Sequence, residues 1–296
     1  MEKIIDLHIH TICSDGQMTP FEIIDMAHNR NISVISIADH DTIDAYTKEL
    51  FDYAKKNNVV LIPGVEISTK TNKCGIHVLG YNYDLNDDNF RNRLSELRNK
   101  RHKYLYDVSE KLNSLGYIVN VKELDKVESV TKAHISLDVI NNEKNKDLLI
   151  KEFNHIPSKG EFIETIMNEG CPAYVKKETI TPNEASDLIK SAHGKVILAH
   201  PVAYTNEDGL TEEDMLNIVK DMDADGIESN YIYINRYNEK INDIEKWNKF
   251  AFDNKLVRTV GSDFHNEDNL HPTVGLINED INLTKEEIEK IIDNIS

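Results

Sequence analysis

The chain has 296 residues, 34 Lys plus Arg against 52 Asp plus Glu, a formal net charge of −18, and a hydrophobic share of 40%. That length and apolar content suit one large α/β barrel or two ordinary domains with a sizeable core. A field of this sign works against general adhesion to nucleic acid or an anionic membrane, so an anionic substrate has to be drawn in locally, by metal ions or a small basic pocket.

Lys3–His10 reads as a strand that starts at once, with no basic n-region and apolar h-region before it. No apolar run approaches the ~18 residues of a membrane span. The expectation is therefore a cytoplasmic chain without signal peptide or membrane contact. Thr19-Pro20-Phe21-Glu22 has the form of a capping box with proline at the first helical position, opening a helix to about Arg30. Val34–Ala38 is the next strand, and Thr42 or Asp44 caps a helix to about Asn57. Val59–Ile62 reads as a strand leading through Pro63-Gly64 into Val65-Glu66-Ile67, and Gly75–Tyr81 as another. This alternation implies a mostly parallel sheet with crossover helices.

From about Asp87 the rhythm breaks. Phe90–Leu115 reads as one long helix ended by Gly116. Val121–Ile140 and Ser158–Gly170 read as further helical stretches, with Asn141–Lys151 a polar connector. The segment 87–170 is thus expected to be an inserted helical lid, and 1–86 with 171–296 the barrel domain. Strand–helix alternation resumes with helix Pro182–His193, strand Lys195–His200, helix Thr211–Met222 and strand Gly226–Glu228. Helix Tyr237–Asn254, strand Val257–Gly261 and a terminal helix Thr284–Ile295 follow. Cys13, Cys74 and Cys171 are scattered and odd in number, which fits small semi-buried thiols rather than a disulfide framework or a zinc knuckle.

The chemistry sits at the ends of the apolar runs. In Asp6-Leu7-His8-Ile9-His10 the strand's period of two puts both imidazoles on one face. Asp15 follows in a turn with Gly16. Asp39-His40-Asp41 follows the second strand. Glu66 lies between two β-branched residues, where a buried carboxylate needs a cation or donors. His77 lies in an apolar strand and His134 in Lys132-Ala133-His134-Ile135. His200, stopped by Pro201, ends a strand on the rim where α/β barrels build their sites. Asp263 and His265 repeat the spacing of His8 and His10. Mixed imidazole and carboxylate donors suit divalent manganese, iron or zinc. His28, His102, His155, His193 and His271 fall on helices or polar loops and read as non-ligands.

Together, Asp-Leu-His-Ile-His, Ala-Asp-His-Asp, Pro-Gly-Val-Glu-Ile, His-Val-Leu-Gly-Tyr, Ala-His-Ile, Ala-His-Pro and Gly-Ser-Asp-Phe-His resemble the PHP (polymerase and histidinol phosphatase) family, in its motif order from Asp6 to His265. Pro172-Ala173-Tyr174-Val175 and the helical insertion resemble the branch of 3′,5′-nucleoside bisphosphate phosphatases and ribonuclease AM-type 5′→3′ exoribonucleases. The resemblance implies a distorted (β/α)7 barrel with an inserted helical subdomain and two or three divalent ions (Mn, Fe or Zn).

By position, the resemblance implies that His8, His10, Glu66 and Asp263 hold one ion, Glu66, His77 and His134 a second, and Asp15, His40 and His265 a third. His200 is implied as a ligand or phosphate contact. Lys132, with Lys176 or Lys177, would hold a second phosphate, and His200 or Asp41 would protonate the leaving oxygen. Ala38 stands where the branch usually has threonine, and Lys132 where it usually has arginine, a point charge in place of a bidentate fork.

The implied substrate is a nucleoside 3′,5′-bisphosphate losing its 3′-phosphate, or a short 5′-phosphorylated RNA, attacked by metal-activated water, with no stable nucleic-acid complex. Histidinol phosphate or a general phosphomonoester is the alternative, and a non-catalytic metal-binding module the alternative of another class.

Overall fold

The computed structural model describes residues 4–235, 237–268, 271–276 and 283–296. Lys3, where the sequence starts the first strand, lies outside them. The chain divides into two compact units, Met1–Leu94 with Ile180–Ser296, and Ser95–Thr179. Among the described residues no helix is long and apolar enough to cross a membrane.

The first unit is built on a curled, seven-stranded sheet in the order β1 (Ile5–Ile9), β2 (Val34–Ile37), β3 (Val60–Lys70), β4 (Gly75–Tyr81), β5 (Lys195–Leu198), β6 (Gly226–Asn230) and β9 (Val257–Val260). It is mainly parallel; β4 alone runs against both neighbours. Beyond β9, Phe264 donates to His8 O at 3.3 Å and accepts from His10 N at 2.8 Å, so the two edge strands meet at their C-terminal ends. The sheet's remaining edge groups there are thus paired rather than left open.

Local rules explain the elements. Helix α1 (Pro20–Asn29) has the expected reciprocal capping box between Thr19 and Glu22, and α8 (Pro182–Ser191) repeats it with Thr181 and Glu184. The C-terminal helix Lys285–Ile295 starts in the same way at Thr284. Three expectations shift. Helix α2 (Lys48–Lys56) is capped by Thr47, not by Thr42 or Asp44. The preceding turn is held instead by Tyr46, whose buried hydroxyl donates to Ile37 O at 2.6 Å and accepts from Gly64 N at 2.7 Å. That hydroxyl bridges Ile37 on β2 to Ile62 and Gly64 on β3, and β3 runs unbroken through Pro63-Gly64. The segment read as helix from Tyr237 forms a two-stranded hairpin, β7 (Tyr233–Ile234) with β8 (Lys240–Ile241), before α11 (Ile244–Asp253). The Asn235 side chain accepts from Tyr237 N and Glu239 N at 2.9 Å each and makes that turn.

The second unit contains most of α3 (Asp88–Ser114), together with α4 (Val121–Leu124), α5 (Lys132–Asn141), α6 (Lys146–Phe153) and α7 (Lys159–Phe162), which continues as a π-turn over Ile163–Met167. Its own apolar core joins Leu105, Leu112, Ile135, Leu149, Phe162 and Ala173. The unit begins later than residue 87 because Phe90 and Leu94 are buried with the first unit, Phe90 against Tyr83 at 4.6 Å. It ends later than 170 because Ala173 belongs to the helical core. The stretch expected as a connector, Asn141–Lys151, includes most of the helix Lys146–Phe153.

Candidate metal centre

Every strand of the first unit except β7 and β8 brings a side chain to one place or stands next to a residue that does. On β1, Leu7 and Ile9 enter apolar clusters while His8 and His10, on the opposite face, are wholly buried with their Nε2 atoms 3.2 Å apart. After β2, His40 bridges to Glu66 on β3, and Asp39 and Asp41 pair their backbones with the same residue. The antiparallel register of β3 and β4 sets His77 opposite Ser68, the next residue on Glu66's face. Past β5 and β9 come His200, Asp263 and His265.

Glu66 is the hub. Its carboxylate, 1% exposed, lies 2.9 Å from His77 Nδ1, 3.0 Å from His40 Nδ1, 3.1 Å from His200 Nε2, 3.3 Å from His10 Nε2 and 3.5 Å from His8 Nε2. Asp263 Oδ1 lies 3.1 Å from His10 Nε2 and 3.5 Å from His8 Nε2. Asp15 faces His265 Nε2 at 3.4 Å, His10 Nδ1 at 3.6 Å and His40 Nε2 at 3.8 Å. The His265 ring stacks on His10 at 4.2 Å. His77, His265 and Asp263 are 32%, 28% and 20% exposed, so the cluster opens to solvent on their side. Asp41, His200 and Asp263 all hold left-handed backbone, at φ 52°, 23° and 53°. Such conformations are uncommon outside glycine and gather at functional sites.

Ligand atoms converge in three groups: His8, His10 and Glu66; His40, Glu66 and His77; His10, Asp15, His40 and His265. Asp15 Oδ1, His40 Nδ1, His77 Nδ1 and His200 Nδ1 are buried without a hydrogen-bond partner. Asp15, His40 and His77 belong to these groups, whose ligand atoms lie within 4.8 Å of one another. Buried polar groups of this kind are costly unless something satisfies them. A divalent cation does so, and the N/O donor set is of the type that takes one.

The charges respond to one another as a coupled cluster. Burial pushes Glu66 and Asp15 up, but the surrounding imidazoles win and hold both well below the ordinary carboxylate range. Asp263 is depressed in the same way by His8 and His10. Burial pushes His10 down, yet Asp263 and Glu66 raise it to about 10. For His40 burial wins and lowers it to about 4, which leaves a neutral ring with lone pairs to give.

Residues expected elsewhere in the site divide by unit. His134, Lys132, Lys176 and Lys177 belong to the helical unit. There His134 occupies the third position of α5 and accepts from Thr131 N at 3.1 Å, while Lys132 donates to Asn168 at 2.9 Å. Lys176 is exposed and Lys177 half-buried. Asp41 accepts from Ser68 N at 3.0 Å, bracing the loop after β2 against β3. His28, His102, His155 and His271 have partners of their own in Asn57, Asp125, Glu161 and Asp268, and His193 takes a left-handed turn.

Two residues escaped the sequence reading. Tyr231 donates to Asp263 Oδ2 at 3.1 Å, and Glu228 lies against His8. Glu228 lies in the short, mixed strand Gly226–Asn230 and carried no signal of the kind that marked Glu66 between two β-branched residues.

The PHP domain family matches residues 6–200. A 5′-3′ exoribonuclease of Haemophilus influenzae is 30% identical over 90% of this chain and 91% of its own length. A 3′,5′-nucleoside bisphosphate phosphatase of Chromobacterium violaceum is 24% identical over 88% of this chain and 87% of its own. A solved protein from Bifidobacterium adolescentis, named for metal-dependent phosphoesterase activity, superposes with a TM-score of 0.76 at 20% identity, over 99% of this chain and 97% of its own, which shows a shared fold.

Proposed function

The chain belongs to the PHP family of metal-dependent phosphoesterases, and from that premise we propose that it removes the 3′-phosphate of nucleoside 3′,5′-bisphosphates and acts from the 5′ end on short 5′-phosphorylated RNA. Its curled sheet, on this reading, is a distorted (β/α)7 barrel and the helical unit an insertion in its chain. The observation that carries the proposal is Glu66, a buried carboxylate ringed by five imidazoles from β1, β4 and the loops after β2 and β5.

Two or three divalent ions fit the three groups. His8, His10, Glu66 and Asp263 would hold one, Glu66 and His77 with His40 a second, and Asp15, His40 and His265 with His10 a third. When bound, such ions polarise phosphoryl oxygens and lower the pKa of a coordinated water. The protein's own groups do the rest. Glu66 and Asp263 set the distance between donors. Asp39, which accepts from Thr11 N at 2.7 Å, Thr11 Oγ1 at 2.6 Å and Ser14 Oγ at 2.5 Å, holds the loop behind His10. His200, raised above the ordinary histidine range because Glu66 outweighs its burial, would give its proton to the leaving oxygen. Asp41 is the alternative acid, though one of its oxygens is engaged with Ser68. Lys132, Lys176 and Lys177 are assigned to the second phosphate by their charge and chain position.

Initial rates on adenosine 3′,5′-bisphosphate, histidinol phosphate and a short 5′-phosphorylated RNA test the reading. Turnover of the bisphosphate well above histidinol phosphate is expected. The reverse order would mark a histidinol-phosphate or general phosphomonoesterase, and no turnover with metal bound would mark a non-catalytic module.

A further inference from the structure

Glu228 lies on β6 at 1% exposure. Both its oxygens face His8 Nδ1, at 3.0 and 3.2 Å, and Oε2 also accepts from His200 N at 3.0 Å. It belongs to none of the groups whose ligand atoms converge. Instead it stands behind them, gripping the back of two residues whose Nε2 atoms face Glu66. The fold makes room for this carboxylate. A Cβ at Gly261 would stand 2.3 Å from Glu228 Oε1 and 2.3 Å from His8 Cβ, so only glycine lets the chain leave β9 past the pair.

An ionised carboxylate only accepts, so the hydrogen between the pair is carried by His8 Nδ1. In a neutral imidazole that leaves the Nε2 lone pair pointing at Glu66 and His10. Partners of this sort orient ligands and raise their basicity in metal sites generally. We propose that Glu228 is a positioning residue of the metal centre, fixing His8 in the Nδ1–H tautomer so that its Nε2 faces the cations, and anchoring the His200 backbone so that its ring stays against Glu66. The inference rests on the cation-binding reading of the site. Removing the carboxylate would leave a buried N–H without an acceptor, free to turn away or to move its hydrogen to Nε2, where it blocks ligation.

The test uses the full chain and Zn²⁺ alone. Nitrogen-15 NMR of histidine-labelled, zinc-loaded protein should show His8 protonated at Nδ1. Glu228→Gln keeps an acceptor oxygen and should bind Zn²⁺ within about fivefold of the parent, the loss expected when a charged acceptor becomes neutral. Glu228→Leu should weaken binding by about 10- to 100-fold. Gly261→Ala, which crowds the pair without touching the carboxylate, should move the affinity in the same direction. Parent protein that binds no Zn²⁺ would overturn the cation reading and this inference together. Parent protein that binds Zn²⁺ while Glu228→Leu binds it equally well, or while His8 carries its hydrogen on Nε2, would overturn this inference alone. Should Glu228→Leu fail to fold, the tautomer in the parent and the Glu228→Gln affinity decide the matter.

Discussion

Replacing Glu66 with glutamine should empty most of the metal centre while the fold survives. The substitution keeps size and shape but removes the charge that faces His8, His10, His40, His77 and His200 within 2.9–3.5 Å. Glu66 belongs to two of the three converging groups, so two cations lose their shared carboxylate. If each cation contributes on the order of 3 kcal/mol of charge stabilisation in the transition state, losing two lowers kcat/KM by about ten-thousand-fold, at roughly 1.4 kcal/mol per tenfold. The apolar clusters on either side of β3 do not include Glu66, so the circular dichroism spectrum should stay that of the parent. The assay pairs elemental analysis of dialysed protein with hydrolysis of adenosine 3′,5′-bisphosphate. A Glu66→Gln protein with unchanged metal content and unchanged rate would refute the reasoning.

Four further outcomes are expected. Exhaustive chelation should abolish hydrolysis and added Mn²⁺ should restore it; full activity after prolonged dialysis against excess EDTA would contradict the account. In chelated protein the melting temperature should peak between about pH 5 and 8. His10, raised from 6.5 to about 10, contributes stability that is complete below its unfolded value and lost as pH rises through about 10. Glu66 and Asp263, held low, contribute stability that is lost as pH falls below about 4, so a melting temperature still climbing at pH 10 would contradict the assignment. Gly64→Ala should cost about 1–3 kcal/mol in urea unfolding, because its Cβ would stand 2.1 Å from Ser36 Oγ and 3.0 Å from Ile37 O; a neutral result would show that β2 and β3 can part there. Lys132→Ala should raise KM roughly ten- to hundred-fold for a 3′,5′-bisphosphate and much less for a simple monoester; an equal change on both would remove Lys132 from the second phosphate.

The sequence disclosed what repeats at short range. His8 and His10 share a face because a strand has period two, and the helices at Thr19, Thr181 and Thr284 announce themselves through capping chemistry confined to four residues. It did not disclose what depends on distant partners. Val59–Ile62 reads as a strand leading through Pro63-Gly64, but nothing in its spacing announces that the Tyr46 hydroxyl, from the turn after β2, bridges Ile37 to Gly64 there. Tyr237–Asn254 carries helical spacing, but the Asn235 side chain, just before it, closes a hairpin that takes up its first residues. Glu228 is an ordinary residue of a short strand until β1 brings His8 against it. The joining of His40 with Glu66 and His77, and of His10 with Asp15 and His265, likewise follows from strand order and not from spacing along the chain.

A crystal grown with Mn²⁺ and measured at an anomalous wavelength tests the central claim most directly. The account predicts two or three strong anomalous peaks, each within coordination distance of one converging group: His8, His10 and Glu66; Glu66, His77 and His40; and Asp15, His40 and His265. Catalytically active protein whose crystals show no peak among these residues, or a peak only elsewhere, would contradict it.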